Sequence, residues 1–352
     1  MQAKTYYYDR LDRTRKQVYH DIHKNLTELS GSFQTIRLPF NELSEIYFLV
    51  RLEDPWIFYT NGFSLKYYDN SESVIMEPVY LFKKKEIAEH RKALSSRLRK
   101  LIRPAEGLDD AGKEKYVHDL ICDMVTYDKL KKAYSHEIIG PLFHGIGVCE
   151  GIAKTVKLMC DELGIWCITA LSENNPEKGI KYRHTWNVIG LEKGYAHLDV
   201  TFDASLSKVG IKRYDYYNIP DSDLYRDHEK SIYGLPVCDR NELTYYSQNR
   251  IAVTKESTLR SSLEKAAKKK KDHLFQWRGS YFTREVLRSF CEMITSVADD
   301  FGCSALVSVN MPQAVMYVRF GEPVSGEKAE IELEEANEGE LYEESEKNID
   351  EN

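Results

Sequence analysis

The chain has 352 residues and a formal net charge of −7, with 42% hydrophobic and 30% charged residues and a mean hydropathy of −0.51. No apolar run approaches the roughly 20 residues of a membrane span, and the composition excludes collagen, coiled coil and small disulfide scaffolds. The start, Met1 to Tyr8, lacks the basic-then-apolar layout of a secretory leader, so a cytoplasmic protein without a membrane partner is expected.

The net charge averages two unlike parts. Gly321 to Asn352 holds 13 acidic and two basic residues, a charge of −11, while residues 1–320 hold 47 basic and 43 acidic residues, a charge of +4. A Glu-rich segment with scattered Ile and Leu cannot bury enough apolar surface to offset its ordering entropy. Residues 321–352 therefore read as an acidic disordered tail, a solubiliser or a contact for a basic partner or for the chain's own body. The nearly neutral body offers no electrostatic footprint for nucleic acid.

Residues 1–105 read as an N-terminal α+β region. Leu11, Val18, Ile22, Leu26 and Leu29 make a helical stripe over Asp9–Leu29. Strands are expected at Phe33–Leu38, Phe63–Asn70 and Ser73–Phe82, with a helix over Asn41–Leu52 and a charged helix from Lys83 to Ile102 closed by Pro104. Residues 106–240 begin with helices over Ala111–Tyr127 and Cys149–Leu163, and strands follow at Trp166–Ser172, Arg183–Leu191 and Tyr195–Thr201, an α+β order. Residues 241–320 read as a small α/β domain, with helices over Glu256–Lys270 and Thr283–Phe301 and strands at His273–Arg278, Ala305–Asn310 and Ala314–Phe320. Four successive lysines, Lys268 to Lys271, fall where a helix ends, and cations there complement the helix dipole.

The seven cysteines are odd in number and include no Cys-x-x-Cys pair, and the histidines offer no zinc spacing. Thiols in a reducing compartment are expected, with no metal and no cofactor. One thiol is placed for chemistry. In His144-Gly145-Ile146-Gly147-Val148-Cys149-Glu150-Gly151, Cys149 opens a helix, whose unpaired N–H groups and partial positive charge favour a thiolate. The flanking glycines allow close approach of backbone and substrate. Downstream, His184-Thr185-Trp186-Asn187 and His197-Leu198-Asp199-Val200-Thr201-Phe202-Asp203 belong to a hairpin. A two-residue turn at Glu192-Lys193 pairs Trp186 with Asp199 and His184 with Thr201, which puts Asp199 diagonal to His184 and within side-chain reach. A three-residue loop moves Asp199 to the other face, and Asp203, which also flanks Thr201, is an equal candidate. Thiol, imidazole and carboxylate in this relation supply nucleophile, base and orienting acid.

These stretches together resemble the transglutaminase-like superfamily of papain-fold cysteine enzymes. Gly147-Val148-Cys149-Glu150-Gly151 is similar to its Gly-x-Cys-x-Gly helix start, and His184-Thr185-Trp186-Asn187 to its His-x-Trp-Asn strand. Asp199-Val200-Thr201-Phe202-Asp203 is similar to its Asp-x-Thr-aromatic-Asp stretch, and Val125-Thr126-Tyr127-Asp128 to the helix end before the nucleophile in bacterial members. The resemblance covers about Asp109 to His228. It implies a papain-like core, a nucleophile-bearing helix on an antiparallel sheet, with Cys149 as nucleophile, His184 as base and Asp199, not Asp203, as orienting acid. It also implies a protein or peptide amide as substrate and a thioester intermediate, resolved by hydrolysis as in a cysteine protease or amidase, or by transfer to an amine as in a protein-glutamine acyltransferase. Tyr127 and His144 are candidates for the oxyanion donor, and Trp186 and His197 for lining the site. A non-catalytic binding or scaffold module on the same fold is the alternative.

Overall fold

Asp12 accepts a hydrogen bond from Arg15 N and starts α1 (Arg13–Thr27), which buries Val18, Tyr19, Ile22 and Leu26 at helical spacing. The structure, a computed structural model, describes residues 5–69, 71–175, 177, 183–322 and 331–332. β1 (Phe33–Ile36), α2 (Phe40–Glu53), β2 (Thr60–Tyr67) and β3 (Ser73–Tyr80) follow, and the three strands form an antiparallel sheet of order β1-β3-β2. α3 (Lys84–Ile102) ends just before Pro104.

α4 (Asp110–Met124) is capped by Asp109, which accepts from Gly112 N. The helix stops three residues short of the expected Tyr127. Val125 turns extended, and β4 (Thr126–Tyr127) pairs in parallel with β5 (Ile146–Gly147), so ladder bonds replace the last helical turn. α5 (Cys149–Leu163) has the expected bounds and ends on left-handed Gly164. β6 (Trp166–Ser172), β7 (His184–Leu191) and β8 (Gly194–Leu198) form an antiparallel meander, against which α5 packs.

The β7–β8 turn is Glu192-Lys193, with Leu191 opposite Gly194, and the ladder runs as far as Asn187 opposite Leu198. The expected strand to Thr201 is corrected at this point. β8 ends at Leu198, and Asp199 caps α6 (Val200–Leu206), because its carboxylate satisfies the helix's own N–H groups. β9 (Tyr217–Ile219) completes the sheet in the order β6-β7-β8-β9.

After the short helices α7 (Asp221–Leu224) and α8 (Tyr245–Gln248) come β10 (Ala252–Val253), α9 (Glu256–Lys268), β11 (His273–Trp277), α10 (Arg284–Asp300), β12 (Ser304–Asn310) and β13 (Val315–Gly321). Of the expected acidic tail, Gly321–Glu322 and Ile331–Glu332 are described; the latter form β14, parallel to Val307–Ser308, and the rest lies outside the described residues. This separate sheet, of mixed parallel and antiparallel pairs, has the order β10-β11-β13-β12-β14.

The whole is an α+β arrangement. One cluster of buried apolar side chains runs from Tyr6 to Cys238 and so bridges residue 105, and a second runs from Val253 to Phe320. Among the described residues no helix is long and apolar enough to cross a membrane. All seven cysteines are thiols.

Candidate active site

Cys149 is the first residue of α5 and is 7% exposed. The N-cap residue, Val148, makes no side-chain capping hydrogen bond, and the positive end of the helix dipole lies at the thiol. The glycines around it answer to a loop. Val148 N donates to Ser135 O at 3.0 Å. A Cβ on Gly151 would stand 2.2 Å from that same carbonyl oxygen. Asp128 shapes the loop, accepting from Leu130 N at 3.1 Å, from Lys132 N at 3.0 Å and from the Ser135 hydroxyl. Gly151→Ala sets backbone against a new methyl with no flexible side chain to yield. It should cost about 3 kcal/mol in urea unfolding; an unchanged midpoint would mean the loop is free to move.

A buried charge network lies under the same turn. Lys154, fully buried, donates to Glu137 at 3.0 Å and reaches Glu150 at 2.6 Å, and Arg51 from α2 pairs with Glu137. Burial opposes ionisation of Glu150, yet Lys154, His136 and Arg51 hold its carboxyl well below the usual carboxylate range. Three elements from distant parts of the chain are thereby locked at the residue after Cys149.

On β7, Asn187 donates to Ala153 O at 3.0 Å and to Ile168 O at 3.3 Å, joining the strand to α5 one turn beyond Cys149. At the start of β7, His184 Nε2 lies 2.5 Å from Asp199 Oδ2. Asp199 is 1% exposed, and its other oxygen accepts from Thr201 N at 2.9 Å and Phe202 N at 3.2 Å. Leaving the ladder thus brings the carboxylate onto His184. Asp203, one turn further, is occupied elsewhere: Oδ1 accepts from Tyr216 N at 3.0 Å, and Oδ2 lies 3.1 Å from His118 Nε2.

The remaining sequence candidates divide. Trp186 is buried, stacks on His184 with ring centroids 5.9 Å apart, and donates its indole N–H to His197 Nδ1 at 3.0 Å. His197 is buried and reaches Asp221 with Nε2 at 2.8 Å. Tyr127 is half-buried and, with Cys122, Ile152, Thr201, Ser205 and Lys212, lines a cavity of about 410 Å³. His144 is exposed and packs its ring against Tyr134, 4.5 Å away.

Two buried histidines escaped sequence reasoning. His228 Nε2 lies 2.9 Å from Asp199 Oδ2, and its Nδ1 lies 2.7 Å from Asp227. His118 sits between Asp119 and Asp203, with Cys122 Sγ 3.7 Å from its Nε2. Only the adjacent acid, Asp227 or Asp119, marks either one locally.

Among the described residues, two groups bring metal-ligand atoms within 4.8 Å of one another: His184, Asp199 and His228, and His197, Asp221 and Cys238. Neither set suits a cation. Ligand atoms on tetrahedral zinc stand about 3.3 Å apart, whereas the imidazole nitrogens sit 2.5 and 2.9 Å from Asp199 Oδ2, the spacing of a shared proton. In the second group the indole N–H can only donate, so His197 Nδ1 accepts and Nε2 carries the proton.

No family model and no curated protein matches the chain. Seven chains among solved structures do. A structure described as a TGase matches at 14% identity over 48% of this chain and 50% of that one, with a TM-score of 0.27. A menin structure, described as revealing the binding site for the Mixed Lineage Leukemia protein, matches at 16% identity over 76% and 52%, with a TM-score of 0.25. The matches span about half the length of each of those chains.

Proposed function

We propose that the chain is a cysteine acyl-transfer enzyme with a transglutaminase-like, papain-like core in residues 106–240, flanked by the 1–105 region and the 241–320 domain. The observation that carries the reading is the 2.5 Å contact between His184 Nε2 and Asp199, at the residues whose motifs bear the family resemblance. A carboxylate there fixes the imidazole tautomer and stabilises the imidazolium. In the proposed reaction the Cys149 thiolate attacks the carbonyl carbon of a protein or peptide amide. The backbone N–H of Cys149 supports the oxyanion. His184 gives its proton to the departing nitrogen, and the C–N bond breaks to leave a thioester. Water or an amine then attacks the thioester, His184 takes the incoming proton, and the C–S bond breaks. The cavity lined by Ile152 and Tyr127, within the volume range of small-ligand sites, is a candidate for a substrate side chain.

The test is site-resolved alkylation. Cys291 is the more accessible thiol, and burial raises it above its ordinary range. At pH 7 Cys149 should react with iodoacetamide at least about tenfold faster than Cys291, as an activated thiolate does. Equal or slower reaction at Cys149, read by peptide mass spectrometry, would sink the enzymatic reading and favour a binding module.

A further inference from the structure

Asp199 serves two imidazoles. Its Oδ2 meets His184 Nε2 at 2.5 Å and His228 Nε2 at 2.9 Å. The other ring nitrogen of His228 faces Asp227 Oδ1 at 2.7 Å. With a carboxylate at each nitrogen, both nitrogens carry protons, and His228 is a buried imidazolium. Burial works against that charge, but Asp199 and Asp227 raise the ring above its ordinary range. Asp227 is itself held: the Tyr216 hydroxyl donates to Oδ2 at 2.5 Å, and Gln313 Nε2, between β12 and β13, lies 3.5 Å from both oxygens. Gln313 also donates to Asp223 O at 3.1 Å. The rings of Phe202, Trp186 and Tyr216 enclose His228 at 4.6 to 5.6 Å. Among the described residues, the charged or titratable groups around it are Asp199, Asp227, His184 and His197, with the Tyr216 hydroxyl reached through Asp227.

We propose that His228 is a positioning residue for the Cys149–His184–Asp199 site: clamped as a cation between Asp227 and Asp199, it fixes the orienting carboxylate and tempers how tightly that carboxylate holds a proton on His184. The inference rests on the acyl-transfer reading for its use, but not for its test. Unscreened, a buried Asp199 would stabilise the His184 imidazolium strongly, and the ring would surrender its proton to a leaving group with difficulty. A second cation on the same oxygen offsets that charge while keeping the hydrogen bond short. Through Gln313, the 241–320 region braces this arrangement.

The experiment is a titration of the histidine rings by NMR on the full chain, wild type and His228→Gln. Glutamine keeps a donor for Asp199 and removes the charge. The His184 titration should move upward by about one pH unit or more, and the alkaline inflection of Cys149 alkylation should move with it. In the wild type, two ring N–H signals with contacts to Tyr216 should persist at pH 8. A folded His228→Gln protein whose His184 titrates as in the wild type would overturn the proposal, since a merely structural role lowers rates without moving this value. A neutral His228 ring at pH 7 in the wild type would overturn it too, even if the variant fails to fold. If Cys149 is unreactive while the His184 titration shifts, the acyl-transfer reading fails and the positioning role of His228 stands.

Discussion

Replacing Asp199 by asparagine should lower acyl transfer by about three to four orders of magnitude, the loss seen when a triad acid is neutralised with its geometry kept. The reason is an arithmetic of donors. Asp199 accepts from four N–H groups: two backbone amides of α6 through Oδ1 and two imidazoles through Oδ2. Asparagine has one acceptor oxygen and one NH₂. Whichever way the amide turns, its NH₂ faces two donors. Pointed at the rings, it forces His184 into the other tautomer; pointed at α6, it uncaps the helix. The loss is measurable in the burst of p-nitrophenol from p-nitrophenyl acetate, and a variant within tenfold of wild type would contradict the assignment. Stability should fall as well, by about 3–5 kcal/mol, because the buried His228 ring loses one of the two carboxylates it lies between. Burial opposes ionisation of Asp199, but His184 and His228 hold its carboxyl well below the usual range. A depressed carboxylate contributes stability above its unfolded value near pH 4, and that contribution is lost as the pH falls further. The variant should lack this acid-induced loss.

The second large effect concerns pH from 5 to 8, and it runs the other way. Burial pushes the Glu114 carboxyl up to about 7, against hydrogen bonds from Asn218 and Tyr217, and pushes Glu53 up to about 7, against those from Tyr7, Tyr19 and Tyr8. Both values lie above the unfolded value near 4.3, so the folded chain binds more protons in this window and the slope of stability with pH is negative. Each group contributes fully below about pH 4 and loses its contribution as the pH rises through 7, at most about 4 kcal/mol apiece. His118 and His228, whose rings are raised despite burial, change in the same direction above the unfolded histidine value. Urea unfolding should therefore show a less stable protein at pH 8 than at pH 5. Glu114→Gln should remove about one proton's worth of that slope; a flat wild-type profile would contradict the burial argument.

The legible part of the site was local. Cys149 at a helix start follows from apolar spacing after a glycine pair, and the two-residue β7–β8 turn follows from counting back along alternating strands. With Leu191 opposite Gly194, the inferred register holds as far as Asn187 and Leu198. It failed one residue later. Counting treats a strand as continuing until a breaker appears, and Val200-Thr201-Phe202 contains none. A carboxylate that caps the next helix ended the strand instead. Asp199 reached His184 all the same, by a route other than the diagonal one.

Glycines at 147 and 151, the thiol between them, the order of helices and strands, and the hairpin register were determined by sequence alone, because each depends on neighbours within a few residues. The choice of Asp199 over Asp203 as the partner of His184, the seat of His228 between Asp199 and Asp227, and the Lys154 network were decided by tertiary structure. Their partners lie 15, 29 and 17 residues apart along the chain, and Asp203 found its own partner 85 residues away in His118. A buried charge takes whichever counter-charge the packed core brings within hydrogen-bond distance, and no local pattern records which one that is.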